Sequence, residues 1–321
     1  MNIKQNIIEQ IKSAKKVLIV GHIRPDGDCF GSGFAIALLC KKLNIQADFV
    51  CDSGLPQNYS FMDGFDCVNS IPTEPLSALD HDTVIAIDCG TTSRMGKFAS
   101  VLKQAQTSIN IDHHPSNDNF AKINLVDPAA AATCQIIAEI LLQANLMDAQ
   151  IAQNLLIGLS TDTGHFRHSN TNKSVLSTAS TLIDCGADLQ KAVISLYKSR
   201  TIAQTKLIGR AVDSLKFFHN NLLAFMTVLS SDLTELGCEI FDTEGLIDYA
   251  LNLDAVEIAV CICQHGENGF KVGLRSKNAD VATLSTKFGG GGHRQAAGCM
   301  IFGTKEEVTE KIISAAVEFL G

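Results

Sequence analysis

Carboxylates and imidazoles follow short apolar runs at three places in this sequence. The runs are VLIV, VIAI and SINI, and the polar residues after them are His22, Asp26, Asp28, Asp88, Asp112, His113 and His114. A fourth segment supplies Asp162, at the end of a predicted helix. Imidazole mixed with several carboxylates is typical of sites for Mn²⁺, or for Mg²⁺ that keeps water ligands. Two such ions ~3.5–4 Å apart can catalyse phosphoryl transfer.

Each motif alone also has an ordinary structural explanation. An Asp-Gly-Asp sequence is often a solvated turn or a helix cap, and a single Asp after a strand often caps a helix. Paired histidines are often surface residues or satisfied core residues. Because three strand-end motifs occur in series, we favour a shared metal site, in which Gly27 permits a tight turn that brings Asp26 and Asp28 to adjacent ions.

The elements that would position these residues alternate between strand and helix. We predict strands at 16–20, 45–50, 83–87 and 108–111, and helices at 2–14, 31–43, 131–144, 148–161, 173–184 and 188–197. This alternation predicts an α/β domain whose mainly parallel sheet is flanked by helices. Ligands of such sheets bind beyond the carboxyl ends of the strands, where the polar residues lie.

The sequence changes character after about residue 200. Paired apolar runs at 212–218 and 222–228, and again at 256–263 and 270–275, indicate two hairpins. A glycine-rich turn at 289–292 and a helix from about Lys305 follow. We therefore predict a catalytic domain at 1–190, a helical linker at 191–212 and a smaller α+β domain at 213–321.

Composition limits the partners of the protein. The 321 residues carry a net charge of −8, so no basic surface for tracking long DNA is expected and a nucleic-acid substrate should be short. The 11 cysteines include no C-x-x-C pair, which argues against a zinc knuckle. With a polar N-terminus that does not read as a secretory signal and no membrane-spanning apolar run, we expect a reduced, cytoplasmic protein without a membrane partner.

Four consecutive glycines are the clearest feature of the second domain. The backbone N–H groups of glycines, which have no Cβ atoms, can approach a phosphate closely, and a histidine and an arginine follow the glycines. Arg275, beside Ser276, adds a guanidinium suited to phosphate. The predicted substrate-binding residues are Arg275, Ser276, Gly290, Gly291, Gly292, His293 and Arg294. A flexible surface loop or a hinge is the alternative for the glycines.

The motifs together resemble the DHH phosphoesterase superfamily. The matching segments are Gly21–Ser32 (GHIRPDGDCFGS), Asp88–Gly90 (DCG), Asp112–His114 (DHH) and Thr161–Gly164 (TDTG), and 289–298 (GGGGHRQAAG) is similar to the signature of the DHH-associated domain. The resemblance spans nearly the whole chain and is greatest to members that degrade short RNA and dephosphorylate pAp.

The resemblance implies a role for each site residue. One ion would be held by His22, Asp26 and Asp88, and the other by Asp28, Asp88, His113 and Asp162. Asp112 would orient an imidazole by a hydrogen bond, and His114 would contact the scissile phosphate as stabiliser or proton donor. The implied cofactor is a pair of divalent ions, Mn²⁺ first, with Mg²⁺ and Co²⁺ as alternatives.

The residues are compatible with three functions. The first is a two-metal phosphoesterase that degrades short oligoribonucleotides to mononucleotides and converts pAp to AMP. The second is a phosphodiesterase of cyclic dinucleotides or their linear product, such as pApA. The third is a nucleotide-binding protein without turnover, which the complete set of presumed ligands disfavours. The assembly is also open, with a homodimer among the possibilities.

Overall fold

The apolar runs of the first two hundred residues form a five-stranded sheet. Its strands are β1 (Lys16–Val20), β2 (Gln46–Val50), β3 (Thr83–Ile87), β4 (Thr107–Asp112) and β5 (Ile123–Val126). All neighbours pair in parallel, in the order β2-β1-β3-β4-β5. Continuous burial of β3 on both faces fits a sheet covered by helices on both sides. The predicted α/β fold class is therefore confirmed.

The computed structural model describes residues 2–53, 59–67, 80–197 and 200–320. The chain divides into two compact units, Met1–Lys198 and Ser199–Gly321. The division falls inside the predicted linker, residues 191–212. The predicted domain limits at residues 190 and 213 stay predictions.

The helices of the first unit lie within about two residues of the predicted ranges, with one exception. They are α1 (Ile3–Ser13), α2 (Gly27–Lys42), α3 (Thr133–Gln143), α4 (Ala149–Asp162), α5 (Lys173–Asp184) and α6 (Leu189–Tyr197). The prediction for α2 was wrong at its start, which is four residues earlier. Asp26 caps this helix, since its Oδ1 accepts hydrogen bonds from the N–H groups of Asp28 and Cys29, at 3.1 Å each.

Close packing of α2 against α4 sets where their ends lie. A Cβ atom added at Gly31 would stand 2.6 Å from the carbonyl oxygen of Asn154, so only glycine permits this approach. At Gly27, an added Cβ would collide with the side chain of Thr161. The first turn of α2 therefore touches the last turn of α4, and Asp28 comes close to Asp162.

The second unit contains a six-stranded mixed sheet. Its strands are β6 (Lys216–Phe218), β7 (Leu223–Val228), β8 (Ile258–His265), β9 (Gly269–Ser276), β10 (Gly291–His293) and β11 (Ala296–Phe302), in the order β10-β11-β9-β8-β7-β6. Its helices are α7 (Ile202–Asp213), α8 (Ser230–Leu236), α9 (Leu246–Leu251), α10 (Val281–Thr286) and α11 (Lys305–Leu320). The predicted α+β class of this unit is confirmed.

Both predicted hairpins are present as antiparallel pairs, β6 with β7 and β8 with β9. Two details were wrong. The run 212–218 is a strand only from Lys216, because residues up to Asp213 complete α7. The expected turn at 289–292 ends at Gly290, because Gly291 and Gly292 pair with β11 as an edge strand.

Alternate residues of β8 pack into two separate cores. Ile258, Val260 and Ile262 lie in one, and Ala259 and Cys261 lie in the other. Such burial on both faces accounts for the continuous apolar run in the sequence. Within the described ranges, no helix combines the length and the apolar composition needed to cross a membrane.

Candidate metal centre

Three adjacent strands of the first unit end at the candidate site. His22 lies two residues after β1, Asp88 directly follows β3, and Asp112 is the last residue of β4. The sheet order makes β1, β3 and β4 neighbours. Because parallel strands have their carboxyl ends at the same edge, these residues share one edge of the sheet.

Asp88 lies between the imidazoles of the centre. Its side chain is almost fully buried, with Oδ2 3.3 Å from His22 Nε2 and Oδ1 3.6 Å from His113 Nε2. Its backbone has a φ of 56°, a left-handed conformation that is uncommon in a residue other than glycine. The N–H of Asp88 donates to the carbonyl of Ile111 at 3.0 Å. This conformation turns the carboxylate into the centre, so Asp88 is not a helix cap here.

Two groups of donor atoms surround Asp88. The first consists of His22, Asp26 and Asp88, whose ligand atoms lie within 4.8 Å of one another. His22 Nε2 is 3.7 Å from Asp26 Oδ1. The carboxylate of Asp26 therefore fits two of the explanations given for its motif. It caps α2, and it also faces His22 as a metal ligand would.

The second group consists of Asp28, His113 and Asp162, again within 4.8 Å. His113 Nε2 is 3.3 Å from Asp162 Oδ2 and 4.0 Å from Asp28 Oδ2. The backbone N–H groups of Thr133 and Cys134, at the start of α3, donate to the two oxygens of Asp28 at 2.6 and 2.8 Å. Each carboxylate oxygen has a second lone pair that can bind a cation.

Burial and crowding of carboxylates raise the proton affinity of the centre. Burial, followed by the charge of Asp88, raises the pKa of Asp28 to about 7. Burial also raises the pKa of Asp162 well above its ordinary value, together with the charges of Asp28 and Asp26. A divalent cation would remove this repulsion, so the residues present fit a metal site in both charge and donor type.

His114 belongs to neither of these two donor groups, and a chain of hydrogen bonds through Asp112 fixes its ring. Its Nδ1 lies 2.7 Å from Oδ1 of buried Asp112. Burial would raise the pKa of Asp112, but the hydrogen bond and charge of His114 lower it. Burial would lower the pKa of His114, but Asp112 and Asp88 raise it. The geometry suits the orienting role that the resemblance implies for Asp112.

Asn117 completes this network, and the sequence analysis missed it. Its Nδ2 donates to Asp112 Oδ2 at 2.6 Å and to Asn110 Oδ1 at 2.7 Å, and it lies 3.2 Å from the carbonyl oxygen of Cys89. It therefore ties the loop after β3 to the loop after β4. Its only sequence signal is its position three residues after His114, which carries no chemistry by itself.

Thr133 was also missed. Besides its N–H bond to Asp28, its hydroxyl donates to Asp88 Oδ1 at 3.0 Å. It lies near the start of a predicted helix, where backbone N–H groups favour an anion. That position was a usable signal, but its partner carboxylates are 45 and 105 residues away in the chain.

The predicted substrate-binding residues lie in the second unit, around β9 and β10. Arg275 is half-buried in β9, where Nη1 donates to the carbonyl of Leu274 at 3.0 Å. Burial lowers the pKa of its guanidinium, against the charges of Asp248 and Glu244. Ser276 is buried, and its hydroxyl donates to the carbonyl of Ala279.

The glycine segment (residues 289–294) is mostly exposed in this unit. Gly291, Gly292, His293 and Arg294 are all exposed, whereas Gly290 packs against β11. The backbone carbonyl of Arg294 accepts from the N–H of Val281 at 2.8 Å. Their role in substrate binding stays a prediction.

Two family models match the chain. Residues 16–159 match the DHH family, N-terminal domain, and residues 226–321 match the DHHA1 domain. The chain is 30% identical to the bifunctional oligoribonuclease and PAP phosphatase NrnA of Thermus thermophilus, over 99% of this chain and 94% of that protein.

Solved structures show the same fold. An exopolyphosphatase-related protein from Bacteroides fragilis superposes with a TM-score of 0.90 at 21% identity, over 98% of this chain and 95% of that one. RecJ from Thermus thermophilus, solved in complex with Mn²⁺, has a TM-score of 0.56 at 12% identity. This chain covers 54% of RecJ.

Proposed function

Because this chain belongs to the DHH family of phosphoesterases, we propose that it degrades short oligoribonucleotides to mononucleotides and dephosphorylates pAp to AMP. The family is metal-dependent, and the hydrolase class follows from membership. The substrates are proposed from the name of the Thermus relative, which covers nearly the whole chain. The negative net charge supports short substrates over long strands.

The observation that carries the proposal is the position of Asp88 between two donor groups. We assign His22, Asp26 and Asp88 to one ion, and Asp28, Asp88, His113 and Asp162 to the other. When bound, the ions would polarise the phosphoryl group and lower the pKa of the attacking water. Mn²⁺ is the proposed metal, because the donor set mixes imidazole with carboxylate.

The protein's own residues then position the reacting groups. Asp112 holds Nδ1 of His114, so the ring presents Nε2 as the atom that can donate a proton. Asp112 and Asp88 raise the pKa of His114, which favours a protonated ring that can stabilise the scissile phosphate or pass its proton to the leaving oxygen. In the second unit, we assign binding of substrate phosphate to Arg275, Ser276, Gly290, Gly291, Gly292, His293 and Arg294.

A substrate panel tests the proposal. Purified protein with Mn²⁺ is incubated with pAp, pApA, a five-nucleotide RNA, a long single-stranded DNA, cyclic di-AMP and pyrophosphate. The variant Asp88→Asn is assayed on the same substrates, and circular dichroism shows whether it is folded. Asp213→Asn, the same chemical change at an exposed position of α7, is the matched control.

We expect cleavage of pAp and the short RNA by the wild type and by the control, and none by Asp88→Asn. Preference for cyclic di-AMP, pApA or long DNA would keep the metal chemistry and overturn the substrate. Binding of Mn²⁺ without hydrolysis of any substrate would favour the nucleotide-binding alternative. The expected cytoplasmic location stays a prediction.

A further inference from the structure

Arg94 stands beside the centre without an assigned role. It lies in the 3₁₀ segment Thr92–Lys103 that follows Asp88, and its side chain is exposed. Its backbone is fixed, since its N–H donates to the carbonyl of Thr91 at 3.1 Å and its carbonyl accepts from the N–H of Ile23 at 2.7 Å. The loops after β1 and β3 are thus joined at this residue, and its Cα is anchored next to His22.

The guanidinium of Arg94 contacts a histidine of the centre rather than an acidic partner. Its Nη2 lies 2.9 Å from Nδ1 of His22. In the described part of the chain it forms no ion pair with a carboxylate. Lys97, three residues later, is different, because its Nζ pairs with Asp52 Oδ1 at 3.3 Å. An exposed arginine usually gains its small stabilisation from such a pair, so the position of Arg94 needs another explanation.

The contact with His22 is made at a ring nitrogen that has a second partner. Nδ1 of His22 also lies 2.9 Å from the carbonyl oxygen of Ile23, which can only accept a hydrogen bond. A guanidinium can only donate, so Nδ1 cannot bond to both groups at once. When Nδ1–H donates to Ile23, Arg94 has no hydrogen-bond acceptor on His22.

We propose that Arg94 binds the scissile phosphate of the substrate. The guanidinium is held at the edge of the centre by its anchored backbone, and its contact with Nδ1 of His22 competes with the hydrogen bond of that nitrogen to Ile23. A guanidinium presents several N–H groups in a plane that matches the oxygens of a phosphate. The inference rests on the proposed function for the identity of the substrate. It assigns a cation of the first unit, close to the metal ligands, to the substrate.

The test uses the full-length protein and three variants. Arg94→Gln removes the charge, and Arg94→Lys keeps the charge but removes the planar set of N–H donors. Lys97→Gln removes a charge from the same segment, at a residue that is ion-paired with Asp52. Three quantities are measured: kcat and KM for pAp, calorimetric affinity for Mn²⁺, and affinity for inorganic phosphate. The last comes from ³¹P relaxation caused by protein-bound Mn²⁺ and needs no turnover.

For Arg94→Gln we expect KM to rise and phosphate affinity to fall by about tenfold to a hundredfold, the usual effect of losing a charged hydrogen bond. Its Mn²⁺ affinity should equal or exceed that of the wild type, because a neighbouring cation is gone. The KM and the phosphate affinity of Arg94→Lys should lie between those of Arg94→Gln and the wild type. Those of Lys97→Gln should stay within twofold of the wild-type values.

Two results would overturn the inference. One is equal behaviour of Arg94→Gln and Lys97→Gln in KM and in phosphate affinity. The other is loss of Mn²⁺ binding in Arg94→Gln, which would make the residue a support of the centre. The wild type could hydrolyse no substrate of the panel while Arg94→Gln still binds inorganic phosphate more weakly than the wild type. In that case the proposed function fails, and the role of Arg94 in phosphate binding stands.

Discussion

The metal centre of the first unit and the glycine segment of the second differ in what holds their functional atoms. In the centre, buried side chains are fixed by hydrogen bonds from distant segments, as Asp28 is by the start of α3. In the glycine segment, the exposed atoms belong to the backbone of an edge strand. The first arrangement suits catalysis, which requires fixed geometry, and the second suits contact with a ligand. Substitutions in the centre should therefore change kcat, and those in the segment should change KM.

Among the residues that are not assigned as metal ligands, the largest effect is expected at His114. His114→Ala should lower kcat for pAp about 10²–10⁴-fold, the usual contribution of a positioned acid or stabilising group. Because His114 is not assigned as a ligand, calorimetric Mn²⁺ binding should stay near the wild-type value. Full turnover by this variant would remove the role, and loss of Mn²⁺ would place the residue among the ligands instead.

A smaller effect in the same direction is expected at Asn117. Asn117→Ala removes a donor that orients Asp112, which in turn holds His114, and loss of such support commonly costs 10–100-fold in activity. The pH profile should shift, since the pKa of His114 depends on its bond to Asp112. Ser116→Ala, at an exposed position of the same loop, is the control. An unchanged profile with unchanged kcat would show that Asn117 only shapes the loop.

Two neighbouring glycines, Gly290 and Gly291, test the role of the glycine segment in the second unit. An added Cβ at Gly290 would collide with the carbonyl of Gly298 and with Ser285, whereas one at Gly291 would meet open space. Gly290→Ala should therefore lower the free energy of unfolding by about 1–3 kcal/mol, and Gly291→Ala should leave it unchanged. If the exposed backbone binds phosphate, Gly291→Ala should raise KM about tenfold at constant kcat. An unchanged KM would favour the flexible-loop alternative.

The smallest effect is a change in stability on metal removal. At pH 8, above the pKa of about 7 for Asp28, the buried carboxylates repel each other when no cation is bound. Asp162→Asn relieves part of this repulsion, so its chelator-treated form should melt about 2–4 °C above the chelated wild type. Added Mn²⁺ should stabilise the variant less than the wild type. A chelated variant that melts lower than the chelated wild type would contradict the account of crowding.

The sequence predicted the strands near the centre well, for a simple reason. Strands β1 and β3 are apolar on both faces because helices cover both, and such runs are readable without tertiary information. The start of α2 was misplaced because Asp26 and Asp28 looked like a loop motif, whereas Asp26 caps the helix. The glycine segment was predicted as a turn, since nothing in four glycines indicates that two of them pair with β11.

The amino-acid sequence by itself determined the α/β class, the residue types of the centre and the family, because these depend on local patterns and motif spacing. Only the tertiary structure decided that β1, β3 and β4 are neighbours, that α2 meets α4 through Gly31, and that Asn117 holds Asp112. It also decided that Arg94 faces His22 instead of a carboxylate. These contacts join residues far apart in the chain, and their free energy comes from packing and hydrogen bonds that no local pattern encodes.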